Sequence, residues 1–158
     1  MSERKTNVMR ILEKEKVPYI AHEYPHGKEA VDGVTVAKLM GQNPECVFKT
    51  LVTKGAGRDF YVFVVPVDKE LDLKKCAACV GEKSVEMIPV KDITKVTGYV
   101  RGGCSPLGMK KTFKTVFHIT AENISRIIVS AGKIGYQIDL EPGELIRLTG
   151  GSCADIIK

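Results

Sequence analysis

The sequence predicts an α+β protein with a mostly antiparallel sheet, and three observations support this prediction. Short apolar runs that are rich in β-branched and aromatic residues recur along the chain, as expected of strands. Several of these runs are separated by short glycine-containing turns, which is typical of hairpins. Stretches with helical spacing of apolar residues are scattered among the hairpins and do not alternate regularly with the strands.

The first third of the chain predicts two helices and a strand around a polar loop. Thr6 is a plausible N-cap for the first helix, and Pro18 stops that helix. Gly41 closes the second helix, and Asn43 and Pro44 then open one further turn. We expect helices over residues 6–15 and 35–40, a weakly alternating strand over residues 19–24, and a loop over residues 25–33.

The middle third is predicted to contain most of the hairpin structure. Residues 55–59 have the composition of a turn between two apolar runs, and Gly81 and Gly98 each follow a helical pattern. We expect strands over residues 47–54, 60–65 and 85–88, with helices over residues 72–80 and 91–96.

A glycine-rich loop follows over residues 98–108, which hold four glycines and one proline in eleven positions. Glycine lets the backbone approach a ligand closely, and successive N–H groups can hold an oxyanion or a phosphate. The alternative is an ordinary long connection, although long ordered loops are often functional.

The last third resumes the sheet. Residues 131–133 have the composition of a turn between two strands, and Pro142 lies near the start of a helical pattern. We expect strands over residues 115–119, 127–130, 134–140 and 154–157, with a helix over residues 142–148.

Lys49 interrupts the apolar run at residues 47–52, and this charge has two interpretations. The side chain could lie on a solvated face of an alternating strand. It could instead project from a rigid strand into a cleft that takes an anionic or carbonyl-bearing ligand, since an unpaired buried ammonium is costly. The strand alone leaves both interpretations open.

Composition predicts a single domain over residues 1–158 with an ordinary globular balance of 44% apolar and 27% charged residues. The net charge of +5 is compatible with an RNA partner without requiring one. No apolar run reaches the length of a membrane helix, and residues 1–6 lack a signal-peptide core. We therefore expect a cytoplasmic protein with reduced cysteines and no membrane or DNA partner.

Three motifs occur together in a recognisable order: Phe48-Lys49-Thr50-Leu51, the loop over residues 102–108, and Val129-Ser130-Ala131-Gly132. Together with residues 145–150, they make the chain resemble the YbaK/EbsC family, which is related to the editing domain inserted in bacterial prolyl-tRNA synthetases. The resemblance runs from about residue 8 to residue 157. It implies a curled, barrel-like mixed sheet with short helices around it, and a trans-editing deacylase. YbaK-type proteins, which remove cysteine mischarged onto proline tRNA, look closest.

The resemblance also implies a set of site residues. Lys49 matches the residue on which the family depends most, and the glycine-rich loop supplies oxyanion donors through Gly102 and Gly103. Tyr19 is aligned less securely, near the pocket entrance. The expected substrate-binding residues are Tyr19, Thr50, Cys104, Ser105, Pro106, Ser130 and Asp139. Lys110, Lys111 and Lys114 follow the loop and are expected to contact tRNA phosphates, with solvated surface as the alternative.

The chemistry of an aminoacyl ester fits this assignment. Such an ester is already activated, so an enzyme mainly has to position it and stabilise an oxyanion. The family resemblance suggests that the thiol of the substrate attacks the ester, so the protein needs no nucleophile and no cofactor. The three histidines, His22, His26 and His118, show no ligand spacing and are expected to be structural or surface residues. Prolyl-tRNA synthetase is a candidate partner.

The cysteines leave alternatives open. Cys76 and Cys79 have the CxxC spacing of zinc and redox sites, but they fall in a predicted helix without a second pair, so core packing is the default. Cys104 lies in the glycine-rich loop, where it could be a nucleophile. A non-hydrolytic binder of the aminoacyl-tRNA 3′ end, a deacylase for alanine and a thiol redox protein are the competing functions.

Overall fold

The computed structural model describes residues 5–25 and 31–158, and within these ranges it confirms the α+β class. His26 and most of the predicted loop over residues 25–33 lie outside the described residues. The described helices are α1 (Asn7–Lys14), α2 (Gly33–Leu39), α3 (Leu73–Val80), α4 (Ile93–Thr97) and α5 (Pro142–Thr149). The described strands are β1 (Tyr19–Glu23), β2 (Phe48–Gly55), β3 (Phe60–Pro66), β4 (Val85–Met87), β5 (Lys114–His118), β6 (Ile127–Ser130), β7 (Tyr136–Leu140) and β8 (Ser152–Ala154).

The described strands form two sheets, in the orders β1-β7-β6 and β4-β2-β3-β5-β8. β3 pairs with β5 and β5 with β8 in parallel, and the remaining neighbours are antiparallel, as predicted for a mostly antiparallel arrangement. A parallel bridge between Val47 and Ile128 links the two sheets. Within the described ranges the sheets stay open, so the barrel-like curl implied by the resemblance does not extend to closure.

The central strand β3 is buried on both faces. Val62 and Val64 belong to the main core, which also includes α1, β6, β7 and α5, whereas Phe63 and Val65 pack in a second core with α3. A strand that is covered on both faces has no solvent-exposed face on which polar side chains would alternate with apolar ones. This explains the continuous apolar run of β3. Each fully buried side chain of this size stabilises the fold by about 1.5–3 kcal/mol.

Helix ends follow the predicted capping chemistry. The Thr6 side chain accepts a hydrogen bond from the Met9 N–H at 3.2 Å at the start of α1. Gly81 and Gly98 end α3 and α4 in the left-handed conformation, with φ of 74° and 87°. None of the helices in the described ranges is long and apolar enough to cross a membrane.

Some element boundaries differ from the sequence-based prediction. α2 begins at Gly33, two positions early, because the Asp32 side chain caps it by accepting from the Thr35 N–H. β7 begins at Tyr136, since Gly132 and Gly135 have positive φ and prolong the preceding turn. The last strand is Ser152–Ala154, where it pairs with β5, and not residues 154–157. The helix predicted over residues 91–96 is a 3-10 turn, Val90–Asp92, followed by α4, and the 3-10 turn Ile119–Asn123 was not predicted.

Candidate active site

A cleft of about 1100 Å³ opens where the two sheets diverge. Its described lining comes mainly from the first part of β2, the glycine-rich loop, the β6–β7 hairpin and the start of α2, with further residues from the stretch between β4 and α4. Each of the three motifs that carry the family resemblance contributes to this lining. Lys49 therefore lies on a cleft, as the second of its two sequence-based interpretations predicted.

The open edge of β2 explains why the cleft lies here. β6 bridges the strand at Val47, and β4 pairs with it only from Thr53 onward. The Gly55 N–H donates to the Asp59 carbonyl, so alternate residues back along β2 bond to β3. Thr50 belongs to the alternate set of residues, which do not bond to β3. Its N–H and C=O therefore face the uncovered edge. The cleft thus has main-chain donors and acceptors in its wall.

Lys49 lies on this edge segment and is half-buried. It pairs in register with Val65, whose side chain belongs to the second core. None of the described carboxylates lies within ion-pair distance of its ammonium group. Lys49 therefore presents a positive charge to the cleft that the described part of the protein does not neutralise.

Thr50 follows on the opposite face of β2, opposite Val64 of the main core. Its hydroxyl oxygen is buried and has no hydrogen-bond partner among the described groups. A buried hydroxyl without a partner typically costs about 1–3 kcal/mol, so a polar ligand atom in the cleft would relieve this cost. The structure thus gives the residue a feature that suits ligand binding.

The glycine-rich loop presents Gly102 to the cleft with φ of 85°, a conformation that favours glycine. The Gly103 N–H donates to the Val100 carbonyl at 3.0 Å, so this N–H is already bonded within the loop. Gly103 is buried, and a Cβ there would lie 3.1–3.2 Å from the backbone of Lys133 and Ile134. Gly103 thus packs the loop against the β6–β7 turn. The N–H groups of Gly102 and Cys104 form no hydrogen bond with the described residues, and both residues line the cleft.

Ser105 and Pro106 are buried and do not line the cleft. The Ser105 hydroxyl oxygen accepts from the Leu107 N–H at 3.4 Å, and the Tyr99 hydroxyl donates to the Leu107 carbonyl. These bonds hold the second half of the loop. The sequence analysis expected Ser105 and Pro106 to contact substrate, but in the described structure neither residue lines the cleft. Both instead lie in the buried part of the loop.

Cys104 and Ser130 both line the cleft. Burial raises the pKa of the Cys104 thiol to about 11, so this group is a protonated thiol at neutral pH. A nucleophilic cysteine needs the opposite shift. The Ser130 hydroxyl oxygen accepts from the Gly132 N–H at 3.1 Å, which anchors the turn that Gly103 packs against.

Asp139 lies outside the cleft lining, in the middle strand of the three-stranded sheet. Its carboxylate is held by two residues, with His22 Nε2 2.9 Å from Oδ2 and Arg126 Nε donating to Oδ1 at 2.8 Å. The Tyr19 hydroxyl likewise points elsewhere, donating to Glu13 at 2.7 Å. The structure therefore does not bring Asp139 or Tyr19 together with Lys49.

Arg101 and Gln137 are among the polar residues of the cleft that sequence reasoning missed. Arg101 is exposed in the glycine-rich loop, where its position next to Gly102 could have drawn attention. Gln137 is buried, and its side-chain oxygen accepts from the Gln42 side chain at 2.9 Å. Only the pairing of β6 with β7 brings Gln137 opposite Ser130, so no local signal could have identified it.

The lysines that follow the loop are exposed, and Lys110, Lys111 and Lys114 do not line the cleft. The Lys110 ammonium lies 3.4 Å from the Lys95 carbonyl near the end of α4, where a positive charge complements the helix dipole. Its position beside α4 brings Lys110 close to Lys95, which sequence reasoning did not single out.

The CxxC pair lies on α3 and faces the second core. Burial raises the pKa of Cys76 to about 12 and also raises that of Cys79. Both are therefore protonated thiols at neutral pH, which suits core packing better than redox exchange or metal binding. His118 is also structural in character, because its Nδ1 accepts from the buried Ile156 N–H at 3.3 Å and burial lowers its pKa.

Comparison with solved structures agrees with this fold. A hypothetical protein named APE2540 matches with a TM-score of 0.85 at 20% identity, covering 96% of this chain and 99% of that one. A protein provisionally described as a trans-editing enzyme for prolyl-tRNA synthetase matches with a TM-score of 0.81 at 22% identity and covers 99% of both chains. At these identities the two matches establish the shared fold alone.

Comparison of sequences identifies the family. The chain is 46% identical over 155 residues to an Enterococcus faecalis protein provisionally named Cys-tRNA(Pro)/Cys-tRNA(Cys) deacylase EbsC, covering 98% of this chain and 94% of the relative. The aminoacyl-tRNA editing domain matches residues 28–148, which include the β2 motif, the glycine-rich loop and the β6–β7 turn. The chain therefore belongs to the aminoacyl-tRNA editing domain family.

Proposed function

We propose that this protein, as a single editing domain over residues 1–158, hydrolyses the ester bond of tRNA mischarged with cysteine, foremost Cys-tRNA(Pro). The observation that carries the proposal is the composition of the cleft. A half-buried lysine without a described ion-pair partner faces it, main-chain donors line it, and its thiol is protonated. Family membership and the provisional name of the 46% identical relative support the same substrate class.

In the proposed reaction, the thiol of the substrate itself is the attacking group. Its sulfur bonds to the ester carbonyl carbon, the carbon–oxygen bond to the ribose breaks, and the thiol proton ends on the departing ribose hydroxyl. Water then opens the cyclic thioester to give free cysteine. This route accounts for a site in which the described residues offer no activated nucleophile, since Cys104 is protonated and no histidine lines the cleft.

The protein's contribution is positioning and charge stabilisation. The Lys49 ammonium holds the ester region or an adjacent phosphate, and the N–H groups of Gly102 and Cys104 are the proposed donors to the developing oxyanion. The Thr50 hydroxyl and the backbone edge of β2 hold the amino-acid part. In this account Gly103, Ser130 and Asp139 act by fixing the loop and the sheet around the cleft.

A panel of mischarged tRNAs tests the proposal. Purified protein incubated with Cys-, Ser- and Ala-tRNA(Pro) is expected to release cysteine selectively. Preferential release of alanine would assign the chain to a different substrate within the family. Tight binding of Cys-tRNA without any release would favour a non-hydrolytic binder. We place the activity in the cytoplasm, with prolyl-tRNA synthetase as the proposed source of substrate.

A further inference from the structure

The net positive charge of the chain is concentrated in one segment, residues 90–114. This segment contains six basic residues and one acidic residue, Asp92, which gives it a formal charge of +5. The whole chain also carries +5, so the other 133 residues are balanced, with eighteen basic and eighteen acidic side chains. The basic residues of the segment are Lys91, Lys95, Arg101, Lys110, Lys111 and Lys114.

The segment forms one wall of the cleft. Val90, Ile93, Val100 and Arg101 line it directly, next to Gly102 and Cys104. The wall from α2 instead includes a carboxylate, Asp32. The two sides of the cleft therefore differ in charge, and a polyanion leaving the cleft is attracted to the side of the glycine-rich loop.

The lysines next to this wall are grouped and unpaired. Lys91 and Lys95 are four positions apart across the 3-10 turn Val90–Asp92 and α4, which favours projection on a similar side. Lys110 packs against Gly98, with its ammonium 3.4 Å from the Lys95 carbonyl. All six basic side chains are exposed, and none forms an ion pair with a described carboxylate.

Exposed apolar side chains accompany these charges. Val90 is 55% exposed and Val100 is 50% exposed, and both line the cleft. Apolar contacts beside unpaired cations suit the unstacked 3′ end of a nucleic acid, in which a base and a phosphate alternate along the strand. A surface with charges alone would not offer the terminal base any contact.

We propose that residues 90–114 form the surface that holds the phosphates of the tRNA acceptor end as the strand leaves the cleft. Lys91, Lys95, Arg101 and Lys110 are the proposed phosphate contacts nearest the cleft. The inference rests on the proposed function for its ligand. It adds that binding is driven by counterion release and is largely independent of nucleotide sequence.

Two matched double variants test this surface. Lys91→Gln with Lys95→Gln removes two charges from the segment, whereas Lys74→Gln with Lys83→Gln removes two exposed charges from the balanced remainder of the chain. Circular dichroism checks that both fold. The affinity for uncharged tRNA(Pro) is measured by fluorescence anisotropy at several salt concentrations, so the result does not depend on turnover.

The first variant is expected to bind tRNA roughly twentyfold more weakly near 0.15 M salt, since each phosphate contact contributes roughly fivefold there. Its slope of log affinity against log salt should fall by about 1.4–1.8. The control should lose little. Equal losses in the two variants, or no loss in the first, would overturn the inference.

A second substrate separates this inference from the proposed function. Cysteinyl-adenosine carries the ester but no phosphates, so the Lys91 and Lys95 variant should cleave it as fast as the wild-type protein does. Failure to cleave either ester would contradict the proposed function. The tRNA-binding measurement would still test whether residues 90–114 bind tRNA. Slower cleavage of cysteinyl-adenosine by the variant would show that the two lysines act within the cleft, which would also overturn the inference.

Discussion

Lys49 and Thr50 are neighbours on β2 whose side chains leave opposite faces of the strand, yet both line the same cleft. This is possible because the edge of β2 is uncovered between the bridge at Val47 and Val52, whose carbonyl accepts from the Ile88 N–H. The cleft therefore extends around a strand edge. It meets a cation on one face, a hydroxyl on the other, and the main-chain groups of Thr50 between them.

Replacement of Lys49 should abolish most deacylation without unfolding the protein. A charge-assisted contact in a closed site contributes about 1.5–3 kcal/mol, so Lys49→Ala should lose roughly ten- to more than a hundredfold in kcat/KM. Lys49→Arg keeps the charge but replaces a compact ammonium with a wide planar group, and we expect no rescue. Thermal unfolding of both variants serves as the control. Activity near the wild-type level in Lys49→Ala would indicate a lysine that is merely solvated.

Cys104→Ser should retain most of the activity. The folded state raises the pKa of this thiol from 9.0 to about 11, so the group stays protonated at neutral pH and reacts slowly with alkylating agents. Because the pKa is raised on folding, the associated stabilisation is complete below pH 9 and is lost as the pH rises towards 11. Rates of iodoacetamide labelling against pH test this. Fast labelling at pH 7, together with a thousandfold loss of activity in the serine variant, would make Cys104 the nucleophile.

Gly103→Ala should destabilise the fold and impair activity together. The added Cβ would lie 3.1–3.2 Å from the backbone of Lys133 and Ile134, so the glycine-rich loop has to shift, at a cost of about 1–3 kcal/mol. Gly143→Ala is the matched control, since a Cβ there meets no atom within 4 Å. Chemical denaturation and kcat/KM measure the two effects. An unchanged Gly103→Ala variant would mean that the loop does not need this close approach.

Asp139→Asn should reduce stability more clearly than it reduces turnover. The carboxylate accepts from Arg126 and contacts His22 while lying outside the cleft, and hydrogen bonds to a charged partner contribute about 1.5–3 kcal/mol. Urea unfolding should show a shifted midpoint, and kcat/KM should fall far less than in Lys49→Ala. A large rise in KM at unchanged stability would instead place Asp139 in contact with substrate, as the family resemblance implied.

The local features of this protein could be predicted from its sequence, and the long-range ones could not. Thr6, Gly81 and Gly98 mark helix ends because capping depends on neighbouring backbone groups. Lys49 stood out because a single charge within an apolar strand has few places to go. The hydrogen bond that engages Gly103 depends on how the loop folds back on Val100, which no spacing rule reveals.

Residues from distant strands were the hardest to place. Asp139 lies off the cleft because Arg126 and His22 hold it elsewhere on the three-stranded sheet, and these contacts come from three separate strands or their ends. Gln137 enters the cleft only through the register of β6 with β7. Such pairings bring together residues that are far apart in the chain, so composition and periodicity do not predict them.

The central claim is that the cleft cleaves an aminoacyl ester with the help of the substrate's thiol. The most direct test compares initial rates on Cys-tRNA(Pro) and Ser-tRNA(Pro), which differ at one atom of the amino acid. The account predicts rapid cleavage of the cysteine ester and cleavage of the serine ester close to the uncatalysed background. Equal rates on the two esters would contradict it.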